Sequence, residues 1–108
     1  MNASRTLPDD SDAAGLSRFL IALGDPTRQE ILLALSRERL NVSALSERFP
    51  LSRPAMSHHL KVLTDAGVLA CERDGRERVY RVDVRRFRSF VGALRGFVDA
   101  CCKGPECC

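Results

Sequence analysis

The last eight residues of this 108-residue chain hold four of its five cysteines. Cys101 and Cys102 are adjacent, and Cys107 and Cys108 follow Gly104 and Pro105, which predict a turn. Neighbouring Cα atoms lie about 3.8 Å apart across a trans peptide, closer than the roughly 4.4 to 6.8 Å of most disulfides. A bridge within either pair would therefore be strained. Because thiolates prefer soft, thiophilic centres, the spacing predicts a site for one large soft ion.

The number of sulfurs that converge decides which ion fits. If Cys107 or Cys108 folds back onto Cys101 and Cys102, three thiolates match the trigonal pyramid of trivalent arsenic or antimony, and the first pair alone suffices for a methylated arsenical. Four thiolates would match zinc or cadmium in tetrahedral geometry. The tail has no convincing histidine or carboxylate set beside it, which favours arsenic. A redox or persulfide sensor and a tail without a role are the alternatives.

The thiols are expected to be reduced. The N-terminus has no basic region followed by an apolar core, and no apolar run reaches the roughly 18 residues that span a bilayer. We therefore expect a cytoplasmic protein without membrane contact, in which structural disulfides are rare. Cys71 stands alone in a strand-like segment and is expected to be a small buried hydrophobe.

Residues 42–63 have the pattern of a helix-turn-helix. A short first helix ends at Pro50, and Ser52 can cap a second helix with Pro54 in its first turn. An apolar stripe on that second helix is expected to face inward, and it comprises Met56, Leu60 and Leu63. The outward face is small, polar and cationic, as suits base edges and phosphates, and it carries Arg53, Ser57, His58 and Lys61. The alternative is a helical hairpin with a merely solvated polar face.

A basic hairpin follows the second helix. Segments 68–73 and 76–82 are strand-like, and Asp74 with Gly75 between them predicts a two-residue turn. Arg73, Arg76 and Arg78 cluster at its tip, as in a wing that reaches DNA. Residues 53–95 carry ten cations and five anions, whereas the chain as a whole has a net charge of only +3. This excess is the expected footprint of a nucleic-acid partner, although a solvated arginine-rich surface is the alternative.

Helices are predicted on both sides of this unit. The first carries Leu16, Phe19, Leu20 and Leu23 and ends at Gly24; the second is capped by Asp25, begins at Pro26 and buries Ile31, Leu32 and Leu35. The last helix has an apolar stripe at Val84, Phe87, Val91, Leu94 and Val98, which Phe90 and Phe97 widen. One small domain cannot easily cover that stripe, so we expect a homodimer through the first and last helices.

The sequence therefore predicts a mainly α fold with a β-hairpin wing, which is a homodimeric winged helix-turn-helix. We expect a flexible arm at 1–12, a DNA-binding and dimerisation domain at 13–100 and a cysteine-rich inducer-binding tail at 101–108. The chain lacks the nucleotide, zinc-protease and nucleophile-elbow motifs, and no base is spaced to activate a cysteine. An enzyme is disfavoured, and no cofactor is required. A metal-storage protein that does not bind DNA is a further alternative.

Three segments together resemble the ArsR/SmtB family of metal- and arsenic-responsive winged-helix repressors. They are ALGDPTRQEIL (22–32), SRPAMSHHLKVLTDAGVL (52–69) and RDGRERVYRV (73–82). The resemblance implies a homodimer that leaves its operator when an inducer binds. It adds Pro54 to Arg53, Ser57 and His58 as operator contacts. The stretch before the second helix lacks the cysteine motif of many family members, which shifts inducer binding to the C-terminal cysteines, similar to members with an adjacent pair there.

Overall fold

The computed structural model describes residues 13–102, so Cys107 and Cys108 and the predicted arm at 1–12 lie outside the described residues. Within these residues, five helices and three strands follow one another in the order that the sequence predicts, with one added strand. Their bounds are α1 Ala13–Leu23, α2 Pro26–Leu35, β1 Leu40–Asn41, α3 Val42–Arg48, α4 Arg53–Asp65, β2 Leu69–Asp74, β3 Glu77–Val82 and α5 Val84–Cys101. The mainly helical fold with a β wing is confirmed.

Polar side chains begin four of the helices. The carboxylate of Asp25 accepts a hydrogen bond from the backbone N–H of Arg28, and the Ser52 hydroxyl accepts one from Ala55. Asn41 and Asp83 cap α3 and α5 in the same way. These caps satisfy backbone donors that the first helical turn leaves unpaired, so they fix where each helix starts. The predicted caps of α2 and α4 are confirmed.

The wing is a three-stranded antiparallel sheet in the order β1, β3, β2. The sequence prediction missed β1, whose two residues pair with β3 through Leu40 opposite Tyr80. The predicted turn at Asp74 and Gly75 was wrong by one residue, because Asp74 pairs with Glu77 as the last rung of the ladder. The loop is Gly75 and Arg76, and Gly75 has a φ of 70°. The first residue of a two-residue hairpin loop has a positive φ in both favoured turn types, and Gly75 adopts it without strain.

The core lies between the helices and the inner face of the wing. Phe19 of α1 stacks on Phe90 of α5 with ring centroids 4.5 Å apart. The predicted inward stripes of α2 and α4 are buried as expected, at Ile31, Leu32, Leu35, Met56, Leu60 and Leu63. Leu20, which the sequence placed in the apolar stripe of α1, is 43% exposed, because the core of one protomer covers only part of this stripe.

The last helix buries less than its pattern predicts within one protomer. Among the described residues of α5, Phe90 alone is buried, whereas Val84, Val91, Phe97 and Val98 are about half exposed. α5 packs on α1 mainly through Phe87 and Phe90, which both contact the ring of Phe19. The remaining apolar surface faces outward. No helix in the described part of the chain is long and apolar enough to cross a membrane.

Candidate functional site

A basic cleft of about 290 Å³ lies between the start of α4 and the tip of the wing. Arg53 contributes from the first residue of α4, and Arg73, Arg76 and Arg78 contribute from β2, the hairpin loop and β3. All four guanidinium side chains belong to exposed residues. The fold therefore brings together cations that are up to 25 residues apart in sequence. A concave surface lined by arginines concentrates positive potential, as suits the phosphates of a nucleic acid.

Two side chains that the sequence reading did not single out hold this cleft in shape. The Arg53 guanidinium donates to the Ser43 hydroxyl at 2.7 Å, which ties the start of α4 to the start of α3. The Asn41 amide donates to the Glu77 carboxylate and so ties α3 to the wing. Polar residues at the start of α3 were the available signal, but without β1 nothing placed them beside the wing.

A second groove, of about 430 Å³, separates the outward face of α4 from β2 and β3. Ser57 and Lys61 line it from the helix, and Arg78 lines it from the wing. The Lys61 ammonium is 3.0 Å from the Asp65 carboxylate one turn later, in an exposed ion pair. Such exposed pairs contribute little to stability. Ser57 and Lys61 thus present polar groups on the same side of the molecule as the arginine cleft.

The rest of the predicted outward face is also exposed. Pro54 and His58 are exposed on α4, whereas His59 is half-buried behind them. The Arg28 side chain lies 3.3 Å from His59 Nδ1 and donates to the backbone carbonyls of Ala22 and Ile21, at 2.7 and 3.1 Å. This contact joins the end of α1 to the middle of α4. The sequence contained no signal for it, because the two residues are 31 positions apart.

Ion pairs brace the wing on the side away from the core. The Glu72 carboxylate accepts from Arg81 at 2.9 Å and from Arg39 at 3.0 Å. The hydrogen bond from Arg81 is the main reason that the pKa of Glu72 lies below its usual value, and Arg39 adds to the effect. The carboxylate stays ionised in mild acid and links the segment before β1 to both hairpin strands.

The prediction that Cys71 is buried was wrong. Its side chain is exposed although it lies on the same face of the sheet as the buried Leu69 and Tyr80, because it lines the open groove between the wing and α4. Its cross-strand partner is Tyr80. Burial, followed by the hydrogen bond and charge interaction with Cys71, raises the pKa of the Tyr80 phenol. Cys71 is therefore an exposed thiol on the face that carries the arginine cleft, far along the chain from the terminal cysteines.

Cys101 is the last residue of α5, and Cys102 is its C-cap; both are exposed. The Cys102 backbone N–H donates to the carbonyls of Val98 and Asp99, so the helix holds the position of both residues. The described part of the chain brings no three histidine, cysteine or acidic side chains together in a metal-binding cluster. The predicted third sulfur, from Cys107 or Cys108, lies outside the described residues.

Comparison with known proteins finds relatives along most of the chain. Residues 23–72 match a family model described as a helix-turn-helix domain. The arsenical resistance operon repressor of Staphylococcus xylosus is 32% identical over 92 residues, which cover 85% of this chain and 88% of that protein. An ArsR-like transcriptional regulator from Rhodococcus sp. RHA1 superposes with a TM-score of 0.72 and 34% identity, covering 78% of this chain and 79% of that one.

A third protein shares the fold. The winged helix-turn-helix domain of Mb0332 from Mycobacterium bovis, described as homodimeric, has a TM-score of 0.64 and 24% identity over 77% of this chain and 80% of that one. The helix-turn-helix, the wing and the likeness to a repressor along almost the full length agree. The chain belongs to the ArsR/SmtB family of winged-helix transcriptional repressors, which are DNA-binding regulators and not enzymes.

Proposed function

We propose that this repressor controls an arsenic resistance operon and leaves its operator when trivalent arsenic or antimony binds the C-terminal thiolates. Arsenite, antimonite and trivalent organoarsenicals are the inducers, and Cys101 and Cys102 supply two sulfurs, with Cys107 or Cys108 as a third. The observation that carries the proposal is an adjacent, exposed cysteine pair at the end of α5, an element outside the DNA-binding surface. The arsenical resistance repressor among its relatives supports the choice of inducer.

The operator-binding unit is a homodimer in this proposal. Val84, Val91 and Val98 are about half exposed at intervals of seven residues along α5, and Ile21 of α1 is 67% exposed. An apolar face of this kind is typical of a subunit interface. A two-fold dimer presents two α4 helices, which can enter successive major grooves about 34 Å apart. Operator contacts then come from Arg53, Pro54, Ser57, His58 and Lys61, and from the wing arginines Arg73, Arg76 and Arg78.

Inducer binding acts through the relative position of the two subunits. An ion that bridges thiols at the end of α5 favours whichever dimer geometry brings those sulfurs together. Operator affinity falls only by as much as the inducer prefers that geometry, commonly about 1 to 3 kcal/mol, or roughly 5- to 150-fold. DNA binding and inducer binding therefore use separate residues, and each can be removed alone.

Operator release in a fluorescence-anisotropy titration tests this separation. The Cys101→Ser/Cys102→Ser variant should bind operator DNA as tightly as the wild type but should not be released by arsenite. Cys71→Ser is the matched control, because it removes an exposed thiol from the DNA-facing groove and should leave arsenite release intact. Normal release of the double variant, or loss of release in the control alone, would place the sensor elsewhere.

The same titration, repeated with different ligands, tests which inducer the thiol site recognises. If operator release by arsenite requires Cys107 or Cys108, three sulfurs bind the ion. Methylarsenite should still release the operator from a variant that retains only Cys101 and Cys102. Release by cadmium or zinc with no response to arsenite would replace arsenic by a four-sulfur metal site. Release by peroxide in the absence of any metal or metalloid would make the tail a redox sensor.

A further inference from the structure

Arg28 connects three helices through one guanidinium group. From its place in the first turn of α2, its Nε donates to the backbone carbonyl of Ala22 at 2.7 Å, and its Nη2 donates to that of Ile21 at 3.1 Å. Both carbonyls lie in the last turn of α1, where a helix leaves backbone acceptors without intrahelical partners. The remaining nitrogen, Nη1, lies 3.3 Å from Nδ1 of His59 in α4. The end of α1 is thus joined to the helix that carries the predicted DNA contacts.

This contact determines the protonation state of His59. An arginine side chain has donors and no acceptor, so Nη1 must donate and His59 Nδ1 must present a lone pair. The ring is then neutral and carries its proton on Nε2. A protonated ring has an N–H at both nitrogens, so it cannot accept from Arg28, and it sets a second positive charge beside the guanidinium. Protonation of His59 therefore breaks the link between α1 and α4.

The groups around His59 do not compensate for a second positive charge. α1, α2, α3 and β2 pack on α4. Of the described charged side chains in these elements, only Arg28 bonds to the His59 ring, and no described carboxylate forms an ion pair with it. The Asp25 carboxylate accepts from the backbone N–H of Arg28 instead. On α4 itself, the ring of His58 lies 6.1 Å from that of His59 and can add only positive charge.

We propose that Arg28 and His59 are positioning residues that hold α4 in the orientation that binds operator DNA, and that protonation of His59 releases it. In the free protein, α4 can shift so that a protonated His59 moves away from Arg28. DNA that holds α4 in its groove prevents this shift, so DNA binds more tightly to the form in which His59 is neutral. The inference goes beyond the proposed function, because it involves neither the terminal cysteines nor an inducer.

The sign of the pH dependence distinguishes this role from an ordinary phosphate contact. Protonation of an exposed histidine on the DNA-facing surface adds a cation that can pair with a phosphate, so it strengthens binding. Protonation of His59 should weaken binding, because the repulsion from Arg28 is larger in the complex than in the free protein. Operator affinity due to His59 is therefore complete at high pH and is lost as the pH falls through the range in which histidines titrate.

A variant with one histidine isolates the effect. The chain has two histidines, His58 and His59, so His58→Asn leaves only His59 to titrate as a histidine. The affinity of this variant should fall at least about fivefold between about pH 8 and about pH 5.5, which is the lower end of common coupling between two sites. Fluorescence anisotropy at constant ionic strength measures it, with a labelled duplex of the DNA upstream of the protein's own gene.

Two substitutions of His59 in the same His58→Asn background test the contact itself. The asparagine side chain places an oxygen near the position of Nδ1, accepts from Arg28 and does not titrate. His59→Asn should therefore retain the affinity seen at high pH and should keep it in acid. His59→Ala removes the acceptor at every pH, so its affinity should be low and independent of pH. Urea unfolding at both pH values shows whether each variant is folded.

Proton counting gives an independent readout of the same sign. Isothermal titration calorimetry in two buffers of different ionisation enthalpy measures the protons exchanged at about pH 6.5, where an ordinary histidine is half protonated. Compared with His58→Asn/His59→Asn, the His58→Asn variant should release protons when it binds the duplex. Proton uptake, constant or rising affinity of His58→Asn in acid, or an equal fall without histidines would overturn the proposal. Neither measurement involves arsenite, so a protein that ignores arsenite would refute the proposed function and leave this inference intact.

Discussion

Removal of the wing-tip arginine should change the salt dependence of operator binding by a calculable amount. Arg76 lies in the hairpin loop, is exposed, and forms no ion pair with another described residue. Its charge is therefore available to a phosphate. Each phosphate contact contributes about 0.9 to the slope of log K against log salt concentration. A dimer carries two wings, so Arg76→Ala removes two contacts and should make the slope shallower by about 1.8.

This difference in slope has a large effect on operator affinity over an accessible range of salt concentration. Between 50 and 200 mM salt, the wild type should lose roughly twelvefold more affinity than the Arg76→Ala variant, since a slope difference of about 1.8 acts over a fourfold change. Fluorescence anisotropy with labelled operator DNA measures both slopes. The variant should weaken binding about equally on specific and unrelated duplexes, because phosphate contacts do not read sequence.

Arg37→Ala is the matched control. Arg37 is also exposed, but it lines a hollow with Val82 and Val84 at the end of β3 opposite the hairpin loop. Its removal lowers the net charge by the same amount without removing a wing contact, so its slope should equal that of the wild type. If Arg76→Ala and Arg37→Ala give the same slope, general charge rather than the wing governs DNA binding, and the assignment of the arginine cleft is wrong.

Further predictions concern stability. Gly67→Ala should destabilise the fold by about 1 to 3 kcal/mol in urea unfolding, because Gly67 has a φ of 87° and an added Cβ would lie 2.7 to 3.0 Å from the Arg86 guanidinium. Adding Arg86→Ala should remove the steric clash but not the backbone strain. An unchanged urea midpoint of Gly67→Ala would contradict this account. Ser52→Ala should cost about 1 kcal/mol through the lost cap of α4, with Ser89→Ala on the exposed face of α5 as control. The lowered pKa of Glu72 should contribute stability that is present above about pH 4.5 and is lost as the pH falls through the folded-state pKa, so Glu72→Gln should flatten the acid limb of the stability profile. The raised pKa of Tyr80 should contribute stability that is complete below pH 10.0 and is lost as the pH rises through the folded-state pKa; Tyr80→Phe should remove that alkaline loss, and an identical alkaline limb would argue against it.

Most of the fold could be predicted from the sequence, because it depends on interactions between residues that are close in the chain. The helix starts at Asp25 and Ser52 follow from side chains that bond to backbone donors a few residues away. The burial of Met56, Leu60 and Leu63 follows from their spacing of four and three residues, which puts them on one face of a helix. Helix order and the family could therefore be predicted, as could the exposure of Arg53, Arg73, Arg76 and Arg78. The inducer residues stay a prediction, since part of the tail lies outside the described residues.

Long-range packing decided the rest. β1 has only two residues, and it is a strand only because β3 lies beside it; no periodicity exists over so short a segment. The same dependence explains Cys71, which shares a face of the sheet with buried Leu69 but lines the open groove between the wing and α4. It also explains the contact of Arg28 with His59 across 31 positions.

The sequence by itself determined the helices, the hairpin and a cationic surface, because these depend on neighbours within a turn of helix or a hairpin loop. Only the tertiary structure decided the hairpin register, the exposure of Cys71, and how the arginines of α4 and the wing converge on one cleft. It also decided which apolar residues of α5 stay outside the core. The physical reason is that each of these depends on the distance between groups far apart in the chain, which a residue pattern does not contain.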